Sequence, residues 1–485
     1  MYKKLHLLFI LFLSISSIAQ NETITFENSL KTSGSFIKDA FQIVNQKNGN
    51  LSVFLIDAKK IYGYLFDDNF EISKKISSED RSRKYKVLIG SSVSSNNDYR
   101  VYLTNNKHDK FASINFSFKN NTATLNEFEL DSNQERFVQT VTHNNKFYLI
   151  SVVKGTSLLG IYTFDENANY TKKGVDFSSD RLVDKKGKKT NLFNLITNSY
   201  GFNTSADVHK IDENNPNSIE VTSELTKLYV RENKVLLTFD QFKSFTQILS
   251  IDLNTLEKEI RQIKKPYIEI KLSQKKANSY INGDHIYMLA STNDKFTFTI
   301  HDFNSGKLIK QYSATVNDTI SFKNTPIIQK GGMYNNYREM EKTKKFLRKI
   351  TAGDVGISVY KFKDNYHISL GGKQEIKSGG MMMPMGGFGM PIASFGSATV
   401  FFNPTYFAYN SYTNTKSTHI KGLFDVNFDH IEGEMEENVF DKIKNYQTNS
   451  SASKKGEIVF KYKDYYILGN YLLETNQYRL RQFKN

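Results

Sequence analysis

The sequence predicts an all-β fold in which one four-stranded unit is repeated around a ring, and three observations carry this prediction. First, residues 277–313 divide into four short runs of alternating apolar and polar residues, separated by turns rich in Asn, Asp, Gly and Ser. This pattern is typical of an antiparallel meander. Second, similar units recur along the chain. Third, the two ends of the chain supply the strands that would close a ring. Together these observations predict a seven-bladed β-propeller.

The units align on the tight turn between their first and second strands. Each turn is followed by an apolar strand and then by a third strand, and the seven turns are Asn48-Gly49, Asn97-Asp98, Asn144-Asn145, Glu232-Asn233, Asn282-Gly283, Asp364-Asn365 and Lys463-Asp464. A period of roughly 40–50 residues with four strands per copy indicates propeller blades. An eighth, degenerate unit within residues 177–224 is an alternative, and an open solenoid or a sandwich is another. In the sixth unit, residues 405–412 are expected to be the third strand.

The two chain ends complement one another. The last unit stops at Asn485 after its third strand, and Glu22 to Phe26 forms a lone strand before the first unit. This strand can complete the seventh blade, which would remove the exposed sheet edges of an open array.

Four insertions exceed the repeat: residues 177–224, 314–353, 372–396 and 423–455. Each falls in a link between blades or between the second and third strands of a blade. In a meander these links leave from the same face, so we expect the insertions to share one face. Loops on a rigid scaffold often carry binding residues, although decoration that covers the ring opening would look the same.

The most unusual insertion is rich in methionine and glycine. Its candidate binding residues are Met381, Met382, Met383, Met385, Phe388 and Met390. Thioethers suit Cu(I) and also form adaptable contact surfaces. The run contains no Cys or His, so no metal site is predicted, and metal capture is the weakest of three interpretations, after a low-complexity loop and a contact surface.

Residues 334–350 read as a basic amphipathic helix. Tyr337, Met340, Leu347 and Ile350 share one stripe, and the candidate binding residues Lys342, Lys345, Arg348 and Lys349 belong to its basic remainder. Such a helix can bind an anionic surface or pack its stripe on the scaffold and expose its charges. A second helix is expected from Glu434 to Tyr446.

Residues 1–19 match a secretory signal peptide. Lys3 and Lys4 precede the apolar run Leu5 to Leu13, and Ser17-Ile18-Ala19 offers a cleavage site. The run is short for a membrane span, although an anchor is the alternative. We therefore expect residues 20–485 to form one exported propeller domain, periplasmic or extracellular, without a transmembrane segment.

The composition restricts the possible partners. The formal net charge is +15 and the chain has no Cys, so disulfides and lipid anchoring through an acylated Cys are excluded. An exported basic protein can associate with an anionic envelope polymer or an unknown protein, whereas nucleic acid is not an expected partner.

The sequence contains none of the common catalytic motifs. It has no HExxH, GxSxG, P-loop or EF-hand pattern, and no cofactor is predicted. Asp57, Asp67, Asp165, Asp252 and Asp302 lie at strand ends, where aspartate usually caps turns. Carboxylates that converge on the central channel could still hydrolyse an exported glycan or peptide, so a propeller hydrolase is the alternative function.

The third strands end in D-x-N-x-x and D-F-N-S-G-K, at Asp252 to Leu256 and Asp302 to Lys307. These endings resemble generic β-propeller repeats. The chain lacks the G-H…W-D pair and has no Trp, so the resemblance implies a fold and no function. We expect a non-catalytic propeller that binds through its insertion-bearing face.

Overall fold

The computed structural model describes residues 23–31, 34–79, 84–197, 208–268, 274–331, 337–373, 403–449 and 455–485. The predicted signal peptide and the Met/Gly run lie outside these residues. The described residues are mostly β-strands, and they form seven sheets of four or five strands each.

The first three sheets are simple meanders that follow the lone strand β1 (Thr23–Glu27). Their strands are β2 (Asp39–Val44), β3 (Leu51–Ile56), β4 (Ile61–Phe66) and β5 (Ile72–Ser77); β6 (Val87–Val93), β7 (Tyr99–Thr104), β8 (Phe111–Ser117) and β9 (Thr122–Phe128); and β10 (Glu135–His143), β11 (Lys146–Val153), β12 (Leu158–Phe164) and β13 (Tyr170–Asp176).

The fourth and fifth sheets continue the pattern, and the fourth has one added strand. They contain β14 (His209–Ile211), β15 (Thr226–Arg231), β16 (Lys234–Phe239), β17 (Phe245–Asp252) and β18 (Lys258–Lys264), then β19 (Lys276–Asn282), β20 (His285–Ser291), β21 (Lys295–Asp302) and β22 (Leu308–Thr315).

The sixth sheet has five strands, and the seventh sheet is completed by β1. Their strands are β23 (Ile327–Gln329), β24 (Arg338–Met340), β25 (Val355–Phe362), β26 (Asn365–Lys373) and β27 (Ser417–Phe424), then β28 (Ile458–Tyr462), β29 (Tyr465–Leu472) and β30 (Gln477–Phe483). The described residues also contain the helices α1 (Leu192–Thr197), α2 (Ile219–Thr222), α3 (Thr343–Ile350), α4 (Pro404–Thr413) and α5 (Val439–Thr448).

This arrangement is a β-propeller, as the sequence predicts. The closing strand is also confirmed, because β1 pairs antiparallel with β30, from Thr23 opposite Arg481 to Glu27 opposite Gln477. In the described parts of residues 177–224, α1, β14 and α2 take the place of a further four-stranded unit. Residues 198–207 lie outside the described part, so the number of blades stays a prediction.

The hairpin turns between first and second strands explain why the repeat is visible in the sequence. Two-residue hairpin turns need positive φ angles, which Gly and Asn adopt most easily. Each of the seven turns has a residue with positive φ: Gly49, Asn97, Asn144 with Asn145, Glu232, Gly283, Lys363 and Lys463. Gly or Asn occupies this position in four of the turns, so backbone geometry explains the recurring turn residues of those four units.

The sixth sheet departs from the predicted meander. Residues 405–412 were expected to be its third strand, but they lie in α4, and β27 is the third strand. Asn403 caps α4 by accepting a hydrogen bond from the Tyr406 amide at 3.0 Å, and Pro404 occupies the first turn, where its missing N–H has no cost. The outer strands β23 and β24 come from the insertion at residues 314–353.

Both predicted helices begin later than expected. The helix predicted from residue 334 begins at Thr343, because residues 338–340 pair as β24. Phe346, Leu347 and Ile350 are buried as expected, whereas Tyr337 precedes the strand and is 58% exposed. The helix predicted from residue 434 begins at Val439, since Asn438 and Asp441 form a capping box there.

Aromatic side chains fill the contacts between neighbouring sheets. Phe54 on β3 stacks on Phe41 with 4.9 Å between ring centroids, and it lies 5.0 Å from Phe116 on β8 of the next sheet. In a chain without Trp, Phe and Tyr provide the large apolar area that holds such sheets together.

Candidate functional site

Two faces of the propeller can be distinguished by the strand order. The strands β2, β6, β10, β15, β19, β25 and β28 are the first strands of the seven meanders, so they all begin at the same face of the ring. Links that arrive from the preceding sheet, and links between second and third strands, lie on this face. We call it the insertion face. The seven tight turns described above lie on the opposite face.

Residues 208–224, which we call the central segment, fill the middle of the ring. Strand β14 of this segment pairs in parallel with β15, inside the first strand of the fourth sheet. The segment then contacts three further sheets. Asn217 donates to the Tyr280 hydroxyl at 2.9 Å, the Tyr466 hydroxyl donates to the Asn214 carbonyl at 3.1 Å, and α2 packs against β25.

The contact between α2 and β25 is close. A Cβ atom on Gly356 would lie 2.8 Å from the Ile219 carbonyl oxygen and 2.9 Å from the Ser223 nitrogen. A larger residue than glycine would not fit at this position of β25. The central segment therefore packs directly against the backbone of the sixth sheet.

The carboxylates of the central segment are already held by protein donors. Glu213 pairs with Arg231 at 3.0 Å and accepts from the Gly283 amide at 2.9 Å. Glu220 accepts from the Thr415 hydroxyl at 2.8 Å and from the Lys416 amide. Burial raises the pKa of Glu220, although these donors oppose the shift. Neither carboxylate is presented to a substrate in the way a glycoside hydrolase requires.

Four lysines gather where the fourth and fifth sheets meet the insertion face. We call Lys227, Lys243, Lys265 and Lys275 the lysine cluster. Lys227 and Lys265 share the carboxylate of Asp240, each with an N–O distance of 2.9 Å, and all three side chains are fully buried. Burial alone would raise the pKa of Asp240, but the two ammonium groups outweigh it and hold that pKa well below its usual range.

The two lysines bound to Asp240 have all their donors occupied. Lys227 also donates to the Glu224 carbonyl at 2.7 Å and to the Asn278 side-chain oxygen at 2.7 Å. Lys265 also donates to the carbonyls of Asp240 at 3.0 Å and Phe242 at 2.9 Å. An ammonium group has three donors, so neither lysine has one left for a ligand.

Lys243 and Lys275 differ from this pair. Lys275 is buried and donates to the Pro266 carbonyl at 2.6 Å. Lys243 is half-buried and, among the described residues, makes no hydrogen bond or ion pair. Burial, with Lys243 nearby, lowers the pKa of Lys275 to about 8. Burial also lowers the pKa of Lys243. The carboxylates of Asp354 and Asp240 oppose this shift, whereas the ammonium groups of Lys276 and Lys227 add to it.

A chain of ion pairs continues from the lysine cluster towards the sixth sheet. Lys276 lies 3.7 Å from Asp354, and Lys373 lies 3.6 Å from Asp354 and 3.2 Å from Glu224. Glu224 also lies 3.7 Å from the His209 ring. Six lysines of the cluster and chain thus face three carboxylates, those of Asp240, Asp354 and Glu224.

Helix α3 adds a second cationic region. Thr351, which follows the helix, donates to Asn293 in the link between β20 and β21 at 2.6 Å, so the end of α3 lies at the insertion face. We call Lys342, Lys344, Lys345, Arg348 and Lys349 the helix patch. The first four are exposed, Lys349 is half-buried, and α3 contains no carboxylate.

The structure thus places the predicted basic residues Lys342, Lys345, Arg348 and Lys349 together. Met381, Met382, Met383, Met385, Phe388 and Met390 lie outside the described residues. The lysine cluster was not predicted from the sequence, because its members come from separate parts of the chain. The one local signal was Lys227, which directly precedes the apolar residues 228–230 of β15.

The aspartates at strand ends cap turns, as predicted. Asp67 accepts from the amides of Asn69 and Glu71 at 2.9 Å each, and Asp165 accepts from those of Asn167 at 2.9 Å and Asn169 at 2.8 Å. The described residues contain no group of three or more His, Cys, Asp or Glu that could hold a metal ion. Within the same residues, no helix is long and apolar enough to cross a membrane.

No family model matches the chain, and no curated protein matches its sequence. Solved structures resemble it at low identity. The WD40 domain of SCAP from fission yeast is 7% identical, with 96% of this chain and 98% of that chain covered and a TM-score of 0.34. Hsv2 from Kluyveromyces lactis is 9% identical, with 93% and 98% covered and a TM-score of 0.30.

Dihydro-heme d1 dehydrogenase NirN, in complex with DHE, is 10% identical with a TM-score of 0.29. The match covers 60% of this chain, which spans half the length of NirN.

Proposed function

We propose that this chain is an exported binding module, without a catalytic role, that holds an anionic envelope polymer through its insertion face. The observation that carries the proposal is the charge of this face. Six lysines surround three carboxylates beside the fourth, fifth and sixth sheets. The helix patch adds five cations, and α3 itself holds no carboxylate. A concentrated positive field attracts polyanions and holds them through many weak contacts.

The filled centre of the ring favours binding over catalysis. In the described residues, the carboxylates of the central segment are held by protein donors rather than presented to a channel. The helix patch has the opposite character, because its exposed ammonium and guanidinium groups are free to meet a ligand. Export is supported by the pattern of residues 1–19.

The proposal is tested by equilibrium binding of the mature chain to two soluble polyanions, polygalacturonate and polyphosphate, with neutral dextran as the reference polymer. We expect both polyanions to bind and dextran not to bind. Binding should weaken steeply from about 50 mM to about 500 mM NaCl, because salt screens contacts between exposed charges.

The variant Lys345→Ala/Arg348→Ala removes two exposed cations from the helix patch. We expect it to raise the dissociation constant for both polyanions about tenfold, because two cations that neutralise charges of the polymer are lost. Lys146→Ala/Lys234→Ala is the matched control, because these two exposed lysines follow tight turns on the opposite face. An equal loss in the control, or equal binding of dextran, would contradict the proposal.

A further inference from the structure

Lys227, Asp240 and Asn278 meet where the fourth sheet contacts the fifth, and we call them the buried triad. The Lys227 ammonium group lies 2.7 Å from the side-chain oxygen of Asn278 and 2.9 Å from the carboxylate of Asp240. All three side chains are fully buried. Lys227 lies on β15 and Asn278 on β19, so their contact joins the first strands of two neighbouring sheets. An amine nitrogen thus touches both a carboxamide and a carboxylate in a place that is shielded from solvent.

The charges around the buried triad do not balance. Lys265 also lies 2.9 Å from Asp240 and is equally buried, so two ammonium groups share one carboxylate. Among the described residues, no second carboxylate pairs with either lysine. An unmatched charge in the interior is unfavourable. If the Lys227 nitrogen became part of a neutral amide, Lys265 and Asp240 would remain as a matched pair.

The carboxamide of Asn278 is held in an orientation that suits attack by an amine. Its Nδ2 donates to the carbonyls of Ser223 at 2.7 Å and Val355 at 2.9 Å, so Oδ1 faces Lys227. The Ser279 amide donates to Oδ1 at 2.8 Å, and such a donor stabilises negative charge that develops on a carbonyl oxygen.

The reacting atoms are already close together. A carbonyl carbon lies about 1.2 Å from its oxygen. The Nζ atom of Lys227, at 2.7 Å from Oδ1, is therefore within about 4 Å of Cγ of Asn278. Reaction needs about 3–3.5 Å between the two atoms. A displacement of about 1 Å or less brings Nζ to this distance.

We infer that Lys227 and Asn278 form an intramolecular amide cross-link between the fourth and fifth sheets. After Nζ has lost one proton, its lone pair attacks Cγ and a new C–N bond forms. The carboxylate of Asp240 accepts the next proton from Nζ and delivers it to Nδ2, and the bond between Cγ and Nδ2 breaks. Nδ2 leaves as ammonia, which takes up the first proton and becomes ammonium. Atoms and charge balance, and no oxidant or reductant is needed.

The cross-link would give this chain a covalent constraint that it cannot obtain from disulfides, because it has no Cys. The two residues are 51 positions apart in the sequence, and a bond across such a loop restricts the unfolded chain as a disulfide does. The inference does not depend on what the insertion face binds. Its failure would therefore leave the proposed function standing, and the reverse also holds.

Tryptic peptide mapping of the full chain, purified in its folded state and then denatured, tests the inference. Trypsin cuts after Lys and Arg, and it cannot cut after a cross-linked Lys227. We expect residues 211–231 and 277–295 in one species that is about 17 Da lighter than the two peptides together, because ammonia is lost. Fragmentation of this species should place the bond between Lys227 and Asn278. Recovery of residues 211–227 and 277–295 only as separate peptides would overturn the inference.

Other reactions with a similar change in mass are distinguished by the same map. A succinimide at Asn282-Gly283 also loses ammonia, but it leaves the two peptides unlinked. An amide between Lys227 and Asp240 would lose water, about 18 Da, and would link a different peptide. Either product in place of the expected species would overturn the inference.

Variants test the role of each member of the buried triad. Lys227→Met and Asn278→Ala should abolish the linked species, and Asp240→Asn should slow its formation at least about tenfold, since it removes the proton acceptor. Lys234→Met, at an exposed lysine of β16 in the same sheet, is the control and should keep the link. Unchanged linkage in Asp240→Asn would contradict the role of Asp240. Circular dichroism checks the fold of each variant, and the map of the wild-type chain decides the inference even where a variant does not fold.

Discussion

Lys275 provides a sharp test of whether the lysine cluster serves a ligand or the fold. Its side chain is 5% exposed, and burial is the main reason that its pKa falls from 10.5 to about 8. Each unit of pKa shift corresponds to about 1.4 kcal/mol. The folded state thus loses about 3 kcal/mol at neutral pH by keeping this lysine charged.

Replacing Lys275 with methionine removes that charge and keeps a side chain of similar length. The change also removes the hydrogen bond to the Pro266 carbonyl at 2.6 Å, which contributes about 1 kcal/mol. We therefore expect Lys275→Met to increase the free energy of unfolding by about 2 kcal/mol at pH 7. The variant should thus be more stable than the wild type, although it loses a hydrogen bond.

The free energy of unfolding should depend on pH in a direction that follows from the lowered pKa of Lys275. The pKa of Lys275 is lower in the folded than in the unfolded chain, so the unfolded chain binds more protons between about pH 8 and 10.5. The contribution of Lys275 to stability therefore becomes more favourable as pH rises through this window. The advantage of Lys275→Met should shrink from pH 7 to pH 10, because the wild-type lysine then loses its proton in the folded state.

Urea unfolding followed by circular dichroism measures this difference at both pH values. The chain has 28 Tyr, which also titrate near pH 10, but comparing the variant with the wild type at each pH cancels their contribution. Lys146→Met, at an exposed position, is the control and should change stability by less than about 0.5 kcal/mol. A less stable Lys275→Met, or an advantage that does not depend on pH, would refute the reasoning and make Lys275 a structural residue.

Three further predictions concern the framework around the site. Asp240→Asn should destabilise the fold by about 3–5 kcal/mol in urea unfolding, because two buried ammonium groups lose their shared carboxylate. Phe26→Ala should destabilise it by about 3–5 kcal/mol, since the ring on β1 packs 4.7 Å from that of Tyr64; Leu125→Ala, at an exposed position on β9, should change little. Burial raises the pKa of Glu220, so stability should fall as the pH rises above the usual range of a glutamate, and Glu220→Gln should flatten that fall. An unchanged urea midpoint for Asp240→Asn or Phe26→Ala would contradict the first or the second prediction. A pH dependence that Glu220→Gln leaves unchanged would contradict the third.

The ring was predictable because its signals are local. Turn positions with a positive φ angle favour Asn or Gly, so Asn97, Asn144 and Gly283 mark their units without any knowledge of the fold. The closing strand was also predictable, since an unfilled position in the last unit matched a spare strand at Thr23–Glu27.

The sixth sheet was less predictable because two periodicities compete there. The aromatic residues between 405 and 412 fit the alternation of a strand and the spacing of a helix almost equally well. Asn403 as N-cap and Pro404 in the first turn favour the helix. Strand β23, which precedes this segment in the chain, pairs with β27 at the outer side of the sheet. Which strand fills an outer position depends on tertiary packing, and local patterns do not encode it.

The lysine cluster was not predictable because its members meet only in the folded ring. Lys227 begins the fourth meander, Lys243 and Lys265 lie in later links of that sheet, and Lys275 precedes the fifth. Each alone looks like one of the 65 basic residues of a basic chain. Composition indicated an anionic partner, and the fold was needed to bring the ammonium groups together.

The members of the lysine cluster differ in how many of their donors are bonded within the protein. A purely structural lysine is stabilised when its three donors are satisfied, as those of Lys227 and Lys265 are. Lys243 lies beside this satisfied pair without an acceptor among the described residues. Methionine at this position would avoid the desolvation of a charge. Because burial lowers the pKa of Lys243, Lys243→Met should raise the free energy of unfolding at pH 7 and lose that advantage as the pH rises towards the usual pKa of a lysine.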